Sequence, residues 1–241
     1  MAVLNRPPVR LSLSLLVLAG LVAGCADTTG VRPGSELQAR SQNLHTLSWQ
    51  SPATTRFSMV GHKIGSGPLT GVAMDAASDE ISLDQDTVQF WAVRGESRSV
   101  QINYRVSDDV SQPFLRFTTS DPAFVPGQGD VAQGDSVLIT LSVNPATLKV
   151  SLEPTGLQFG EPAQLQIWYG GAGGDLNGDG VVDATDALIE HQLLGLWSRE
   201  ADTDPWTALP ATQSFSDQSF ISSLLHFCEY EVSFLDYAVS W

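Results

Sequence analysis

The sequence predicts a mainly-β protein, an antiparallel β-sandwich interrupted by one polar loop and a short helix. Three observations predict it. From Ile81 onward, short apolar runs are separated by Gly, Pro and Asp turns, the pattern of stacked antiparallel strands rather than of helices. Within several runs apolar and polar residues alternate with a period of two, which turns one strand face to the core and the other to water. Between two of the runs lies a twelve-residue stretch of acids, amide and glycine that fits neither a strand nor a helix.

The chain opens on Arg6 and Arg10, an apolar stretch from Leu11 to Val22, and then Ala23-Gly24-Cys25. A basic start, a short apolar segment and small residues describe a secretory signal peptide over 1–24, and the segment is too short for a committed membrane span. The small residues before Cys25 resemble the bacterial lipobox. That resemblance implies cleavage before Cys25, lipidation of its thiol, and export to the cell envelope with a membrane anchor. Ala26 in place of an aspartate favours the outer membrane. An ordinary signal peptide with an incidental cysteine is the alternative.

Residues 25–79 are rich in Ser, Thr, Gly, Gln and Pro without a sustained period, so a flexible tether, mostly disordered, is expected there. Trp49, Phe57 and Met59 leave room for a short docked strand. The β-sandwich domain is expected over 80–241, long enough for one sizeable core. Val100, Ile102, Tyr104 and Val106 share one face of a strand, with Gln101, Asn103 and Arg105 opposite. Val137, Ile139, Leu141 and Val143 pattern a second strand, and Leu165, Ile167 and Tyr169 a third, with Gln164, Gln166 and Trp168 opposite. Thr87–Val93, Phe114–Thr118 and Leu148–Leu152 are further candidates. Proline and glycine fall between the runs, where no ladder donor is lost.

Residues 175–186 read Asp-Leu-Asn-Gly-Asp-Gly-Val-Val-Asp-Ala-Thr-Asp. Oxygen-bearing side chains fall at positions one, three, five, nine and twelve: Asp175, Asn177, Asp179, Asp183 and Asp186. Val181 at seven offers its backbone carbonyl, and Gly180 at six takes the sharp turn that a Cβ would penalise. This is the spacing of a loop that wraps Ca²⁺, a hard ion taking six to eight oxygens. Four carboxylates so close would repel one another without a cation. Turn chemistry alone explains the Asn-Gly and Asp-Gly pairs, but it does not call for acids at nine and twelve. Thr185 to about His191 is expected to form a short helix, with Leu188 and Ile189 turned toward the sheet.

The stretch from Gly174 to Leu194 resembles one repeat of a type I dockerin, an EF-hand-like calcium repeat whose loop also closes with aspartate. A dockerin carries two repeats, and the downstream acids Glu200 to Asp204 lack the Asn-Gly-Asp-Gly core. The likeness therefore implies calcium more directly than it implies a cohesin partner. A second likeness spans roughly 110–235. Thr155-Gly-Leu-Gln-Phe159, Pro162 to Tyr169, Leu194-Gly-Leu-Trp197, Pro205-Trp-Thr-Ala-Leu-Pro210, His226-Phe227 and Tyr230-Glu-Val232 are similar to segments of ZU5-type β-sandwiches. It implies an Ig-like or ZU5-like sandwich, with the calcium loop inserted at 174–192 between the strands Gln164–Tyr169 and Leu193–Arg199. Modules of that kind are interaction or structural parts.

The formal net charge is −15, from 12 basic and 27 acidic residues. Removal of 1–24 takes away two arginines and no acid, so the exported part is more negative still. Such a surface excludes nucleic acid and electrostatic attraction to anionic lipid. Cys25 and Cys228 are the only cysteines, so with Cys25 lipidated no internal disulfide can form. No catalytic pattern stands out. Asp108, Asp109, Asp121, Asp130, Asp135, Asp202 and Asp204 lie in turn-like surroundings, and His45, His62, His191 and His226 have no metal-binding spacing.

The expected function is accordingly that of a non-catalytic, calcium-stabilised envelope lipoprotein serving structure, adhesion or interaction with a protein or glycan at the cell surface. The alternatives are a dockerin-like module that docks a cohesin-type partner, and a carbohydrate-binding accessory protein using tryptophans such as Trp91, Trp168, Trp197 and Trp206.

Overall fold

The computed structural model describes residues 44–51, 56–64, 81–82, 86–107 and 110–235; the signal segment and Cys25 lie outside them. Among the described residues sixteen strands follow one another. They are β1 (Leu44–Thr46), β2 (Arg56–Ile64), β3 (Ile81–Ser82), β4 (Thr87–Val93), β5 (Ser97–Ser107), β6 (Val110–Thr119), β7 (Pro122–Val125) and β8 (Gly129–Asp130). After these come β9 (Ser136–Val143), β10 (Lys149–Glu153), β11 (Gln158–Trp168), β12 (Leu194–Arg199), β13 (Thr207–Ala208), β14 (Thr212–Ser214), β15 (Ser219–His226) and β16 (Glu229–Leu235). The helix α1 (Ala184–Leu188) and a π-helical turn (Ile189–Leu193) lie between β11 and β12. All pairings are antiparallel. One sheet runs β13-β12-β16-β10-β9-β4 with β1 on β16; the other runs β14-β15-β11-β6-β5-β2-β3 with β7 on β11 and β8 on β7.

The two sheets form a sandwich-like arrangement, as the alternation predicts. Val88 and Ala92 of β4, Ile139 and Leu141 of β9, Val150 and Leu152 of β10, and Tyr230 and Val232 of β16 are buried from one sheet. Val100 and Ile102 of β5, Leu115 and Phe117 of β6, and Leu165 and Ile167 of β11 are buried from the other. Phe117, Phe159 and Phe227 pack edge-on and tilted at 5.1–6.2 Å between ring centres, the offset geometry that aromatic quadrupoles favour.

Within the stretch 25–79, expected as a tether with room for a docked strand at Trp49, Phe57 and Met59, residues 44–51 and 56–64 are described and the rest lie outside. Residues 44–51 run through the sandwich, and 56–64 form a nine-residue strand on β5. β1 pairs with the end of β16, Leu47 donates to the Val232 carbonyl, and Leu148 donates to the Leu47 carbonyl. Leu47 and Trp49 are 1% and 3% exposed. The Trp49 ring lies 4.7 Å from Phe114 and 5.3 Å from Tyr104, and its Nε1 donates to the Asn144 carbonyl. The sandwich therefore begins well before residue 80. β1 pairs over only three residues, too few for alternation to show, while β2 pairs with β5 over nine.

The outer face of β16 carries a second departure from alternation. Glu231 is 3% exposed although it points away from the core, because Trp197 and Lys149 stand beside it on β12 and β10. Its carboxyl accepts from Thr46 Oγ1 and Ser233 Oγ at 3.0 and 2.8 Å. Burial pushes its pKa up, against the opposing pull of Ser233, Thr46, Lys149 and Arg199. Two residues away, Glu229 is also penalised by burial, but Lys149 at 3.0 Å and Arg199 at 2.6 Å overcome this and hold its pKa down.

The two glutamates oppose each other in their effect on stability. Glu229 adds stability at pH values above about 4.5, lost as pH falls through its lower folded pKa. Glu231, with a raised folded pKa, costs stability as pH climbs from about 4.5 through that value. Denaturant titrations of wild type and Glu231→Gln across this range should show the variant gaining on the wild type as pH rises. A difference that stays flat with pH would refute the assignment.

Candidate metal centre

The loop lies where the sequence places it, between β11 and β12. β11 ends in a 3-10 turn at Gly170–Ala172, where the chain must pass close to Trp49. A Cβ on Gly171 would sit 2.4 Å from the indole ring, so only glycine fits. The Gln50 N–H donates to the Gly171 carbonyl at 3.0 Å, tying the segment from β1 to the entrance of the loop. Gly178 and Gly180 adopt φ of +75° and +89°, the left-handed conformations that the coiling chain requires.

Each predicted side chain is turned toward the loop backbone. Asp175 accepts from Gly178 and Asp179 N–H through Oδ1, and from Gly180 N–H through Oδ2, at 2.8–3.1 Å. Asn177 Oδ1 accepts from Asp179 N–H at 3.0 Å, and its amide donates to Asp179 Oδ2 at 2.9 Å. Asp179 Oδ1 accepts from Val181 N–H, and Asp183 Oδ1 from Thr185 N–H. Repulsion among the acids is thus offset in part by N–H dipoles aimed at them.

Asp186 differs from the other acids. It is 3% exposed, covered by its own loop rather than by depth in the core. Oδ1 accepts from Leu176 and Asn177 N–H at 2.7 and 3.3 Å, and Oδ2 from Asp183 N–H at 2.8 Å. With Asp183 it completes the capping box of α1, in which each side chain satisfies the other's free helix-end donor. Burial works to raise its pKa, but the N–H groups of Asp183, Leu176 and Asn177 prevail and hold it below the usual carboxylate value.

Two apolar residues fasten this polar loop to the sandwich. Leu176, at position two, and Ile189, just after α1, are 6% and 3% exposed and belong to the core cluster. Leu188, expected to face the sheet with Ile189, is instead 45% exposed. Neighbours on a helix point about 100° apart, so with Ile189 turned to the core Leu188 faces solvent. At its exit the Tyr169 hydroxyl donates to Glu190 Oε1 at 3.0 Å and accepts from Gln213 Nε2 at 3.2 Å. Gln213 also donates to the Glu190 carbonyl. Burial is the main cause that pushes the Tyr169 pKa up to about 12, so this hydroxyl stays a donor at neutral pH.

The donor chemistry of Asp175, Asn177, Asp179, Asp183 and Asp186 fits a hard cation. All five present oxygen, and a carboxylate that takes one to three N–H bonds keeps lone pairs for an ion. Among the described residues, however, no three His, Cys, Asp or Glu side chains are gathered into a metal-holding group. Leu176, Ile189 and the Tyr169–Glu190–Gln213 link are not apparent from loop spacing. Leu176 at position two is apolar, but so are Val181 and Val182, which are exposed, so sequence alone does not single out the anchor.

The remaining candidates are dispersed. Asp121 pairs with Arg94 at 2.7 Å, and Asp202 with Arg199. Trp206 lies under the Arg199 and Lys149 cations, and Trp168 under Arg116. Trp197 is 4% exposed and donates from Nε1 to the Ser233 carbonyl at 3.1 Å. Cys228 is buried. Among the described residues no helix is long and apolar enough to cross a membrane. Comparison with known proteins yields no match, either to a family model or to a curated protein.

Proposed function

We propose that this chain is a non-catalytic, calcium-stabilised lipoprotein of the bacterial cell envelope. In this reading it is anchored through Cys25, in the outer membrane, and serves as a structural, adhesion or interaction module. The observation that carries the reading is a loop of calcium-ligand spacing fixed to the core at both ends, through Leu176 and Ile189. Asp175, Asn177, Asp179, Asp183, Asp186 and the Val181 carbonyl are the groups that would hold the ion. Calcium bound there supplies positive charge to four carboxylates and a bridge between the two halves of the loop. Asp186 relays that bridge, because the carboxylate that closes the loop also holds the backbone of Leu176.

Extracellular calcium modules bind at about 10⁻⁴–10⁻³ M. At calcium about thirty-fold above Kd, linkage adds about 2 kcal/mol, or about 4–8 °C in the melting midpoint. The test is a thermal melt of the full chain in calcium and again in excess chelator, for wild type and Asp175→Ala. A calcium-dependent rise in wild type that Asp175→Ala abolishes is expected. A wild-type midpoint indifferent to chelator would sink the staple reading.

The exposure of Val181, Val182 and Leu188 on the loop and helix, at 58%, 70% and 45%, favours a second reading. In it the same segment docks a cohesin-type partner in a calcium-dependent way. A partner captured with calcium and released by chelator, with no change in midpoint, would put this reading first.

A further inference from the structure

We propose that the outer face of the first sheet, at its β4 edge, binds neutral saccharide. The proposal rests on reading the chain as an interaction module and names what that module would hold. In β4, Val88 and Ala92 are buried while Gln89 and Trp91 face outward; in β9, Leu138 and Thr140 do the same opposite Ile139 and Leu141. Trp91 and Leu138 are direct cross-strand partners. They are 44% and 38% exposed, two large apolar side chains side by side on an open sheet.

They do not lie on a bare surface. A cleft of about 550 Å³ has these two in its wall, with Gln128 and Asp130 from the β7–β8 hairpin, Asp135 before β9, and Glu153 at the end of β10. A half-exposed indole in one wall with the carboxylates and amide of Asp130, Asp135, Glu153 and Gln128 matches the two-sided chemistry of a pyranose. Its C–H face packs on the aromatic ring, and its hydroxyls donate to the acceptors around the rim. The pieces are held in place. Arg98, 8% exposed, donates to the Trp91 carbonyl at 2.9 Å and satisfies that acceptor of the edge strand. Glu153 is fixed by the N–H and hydroxyl of Thr155.

The lining carries three acids and no lysine or arginine. Carboxylates without a cation repel uronate, sulfate and phosphate groups, so the ligand class is neutral sugar rather than acidic glycan. The cleft spans the β4–β9 edge of the first sheet and the β7–β8 hairpin of the second, and shares no residue with the loop at 175–186. Saccharide binding therefore persists in chelator provided the sandwich stays folded, which separates its failure from failure of the staple.

Affinity electrophoresis of the full chain through gels containing hydroxyethylcellulose, xylan or galactomannan, with alginate as the acidic control, tests the proposal. Retardation by at least one neutral polymer and none by alginate is expected. Trp91→Ala should weaken it about tenfold, with Trp91→Phe intermediate. Asp135→Asn, which leaves the aromatic face intact, should weaken it less, and all three variants should keep the wild-type melting midpoint. No retardation by any of the three neutral polymers overturns the proposal, as does equal retardation of Trp91→Ala or of alginate. Binding to polylysine in place of sugar would also overturn it, by assigning the acids to a cationic ligand.

Discussion

Asp186→Ala is expected to destabilise the domain even in calcium-free buffer, and by more than alanine at any other acid of the loop. The substitution strips the acceptor from three backbone N–H groups at once, those of Leu176, Asn177 and Asp183. Hydrogen bonds to a charged acceptor contribute about 1.5–3 kcal/mol each, and a buried donor left unpaired adds its own desolvation cost. Partial rescue by water at the exposed positions brings the expected loss to about 3 kcal/mol. The capping box of α1 also breaks, so the helix and the chain leading to β12 should loosen together.

The measurement is chemical denaturation in excess chelator, with Asp183→Ala as comparison. Asp183 accepts from the exposed Thr185 N–H and, as the N-cap of α1, from the Asp186 N–H, and its loss should cost about 1 kcal/mol. Equal effects for the two variants would show that Asp186 matters only as an ion ligand. The pH dependence points the same way. A carboxylate with a depressed folded pKa contributes stability above its unfolded pKa, and that stability is lost as pH falls through the folded value. Wild type should accordingly converge on Asp186→Ala in acid.

Trp49→Ala should cost about 3–5 kcal/mol, the range for emptying a large aromatic site in a packed core. The side chain fills the space between Tyr104, Phe114 and the backbone of Gly171, and its Nε1 bond to the Asn144 carbonyl is lost with it. A loss of this size is a large share of the stability of an ordinary domain. Denaturation midpoints of Trp49→Ala and Trp49→Phe decide the matter, since phenylalanine restores most of the volume but not the hydrogen bond. A wild-type midpoint for the alanine variant would return residues 44–51 to the status of a tether.

Sequence and structure agree most closely where periodicity is long. The alternation in Val137–Val143 and Leu165–Tyr169 translates directly into buried and outward faces of β9 and β11. The turn at 175–186 is legible in the same way, because it is local and Gly178 and Gly180 take the backbone conformations that glycine permits. What escapes is non-local. Trp49 belongs to the core through contacts with residues 55 and 65 positions away, and nothing near it in sequence carries that information. Leu188 and Ile189 are equally apolar, but neighbours on a helix cannot share one face, and only the fold shows that Ile189 takes the core side. Glu231 reads as an exposed strand residue until its neighbours on β12 and β10 are known.

The pairing of β1 with β16 also has a mechanical side. Leu44 lies opposite Leu235, so the two ends of the sandwich meet at one corner. A pull that separates them loads the short antiparallel pair from its tip and opens its hydrogen bonds one after another, the geometry of least resistance. The peeling stops three residues in, at Leu47 and Trp49, where the chain is wedged into the core. Were the N-terminal side fastened to a membrane and the molecule dragged from its surface, Leu44–Thr46 would yield first as a small fuse. The indole of Trp49 would then carry the load, with the rest of both sheets intact behind it.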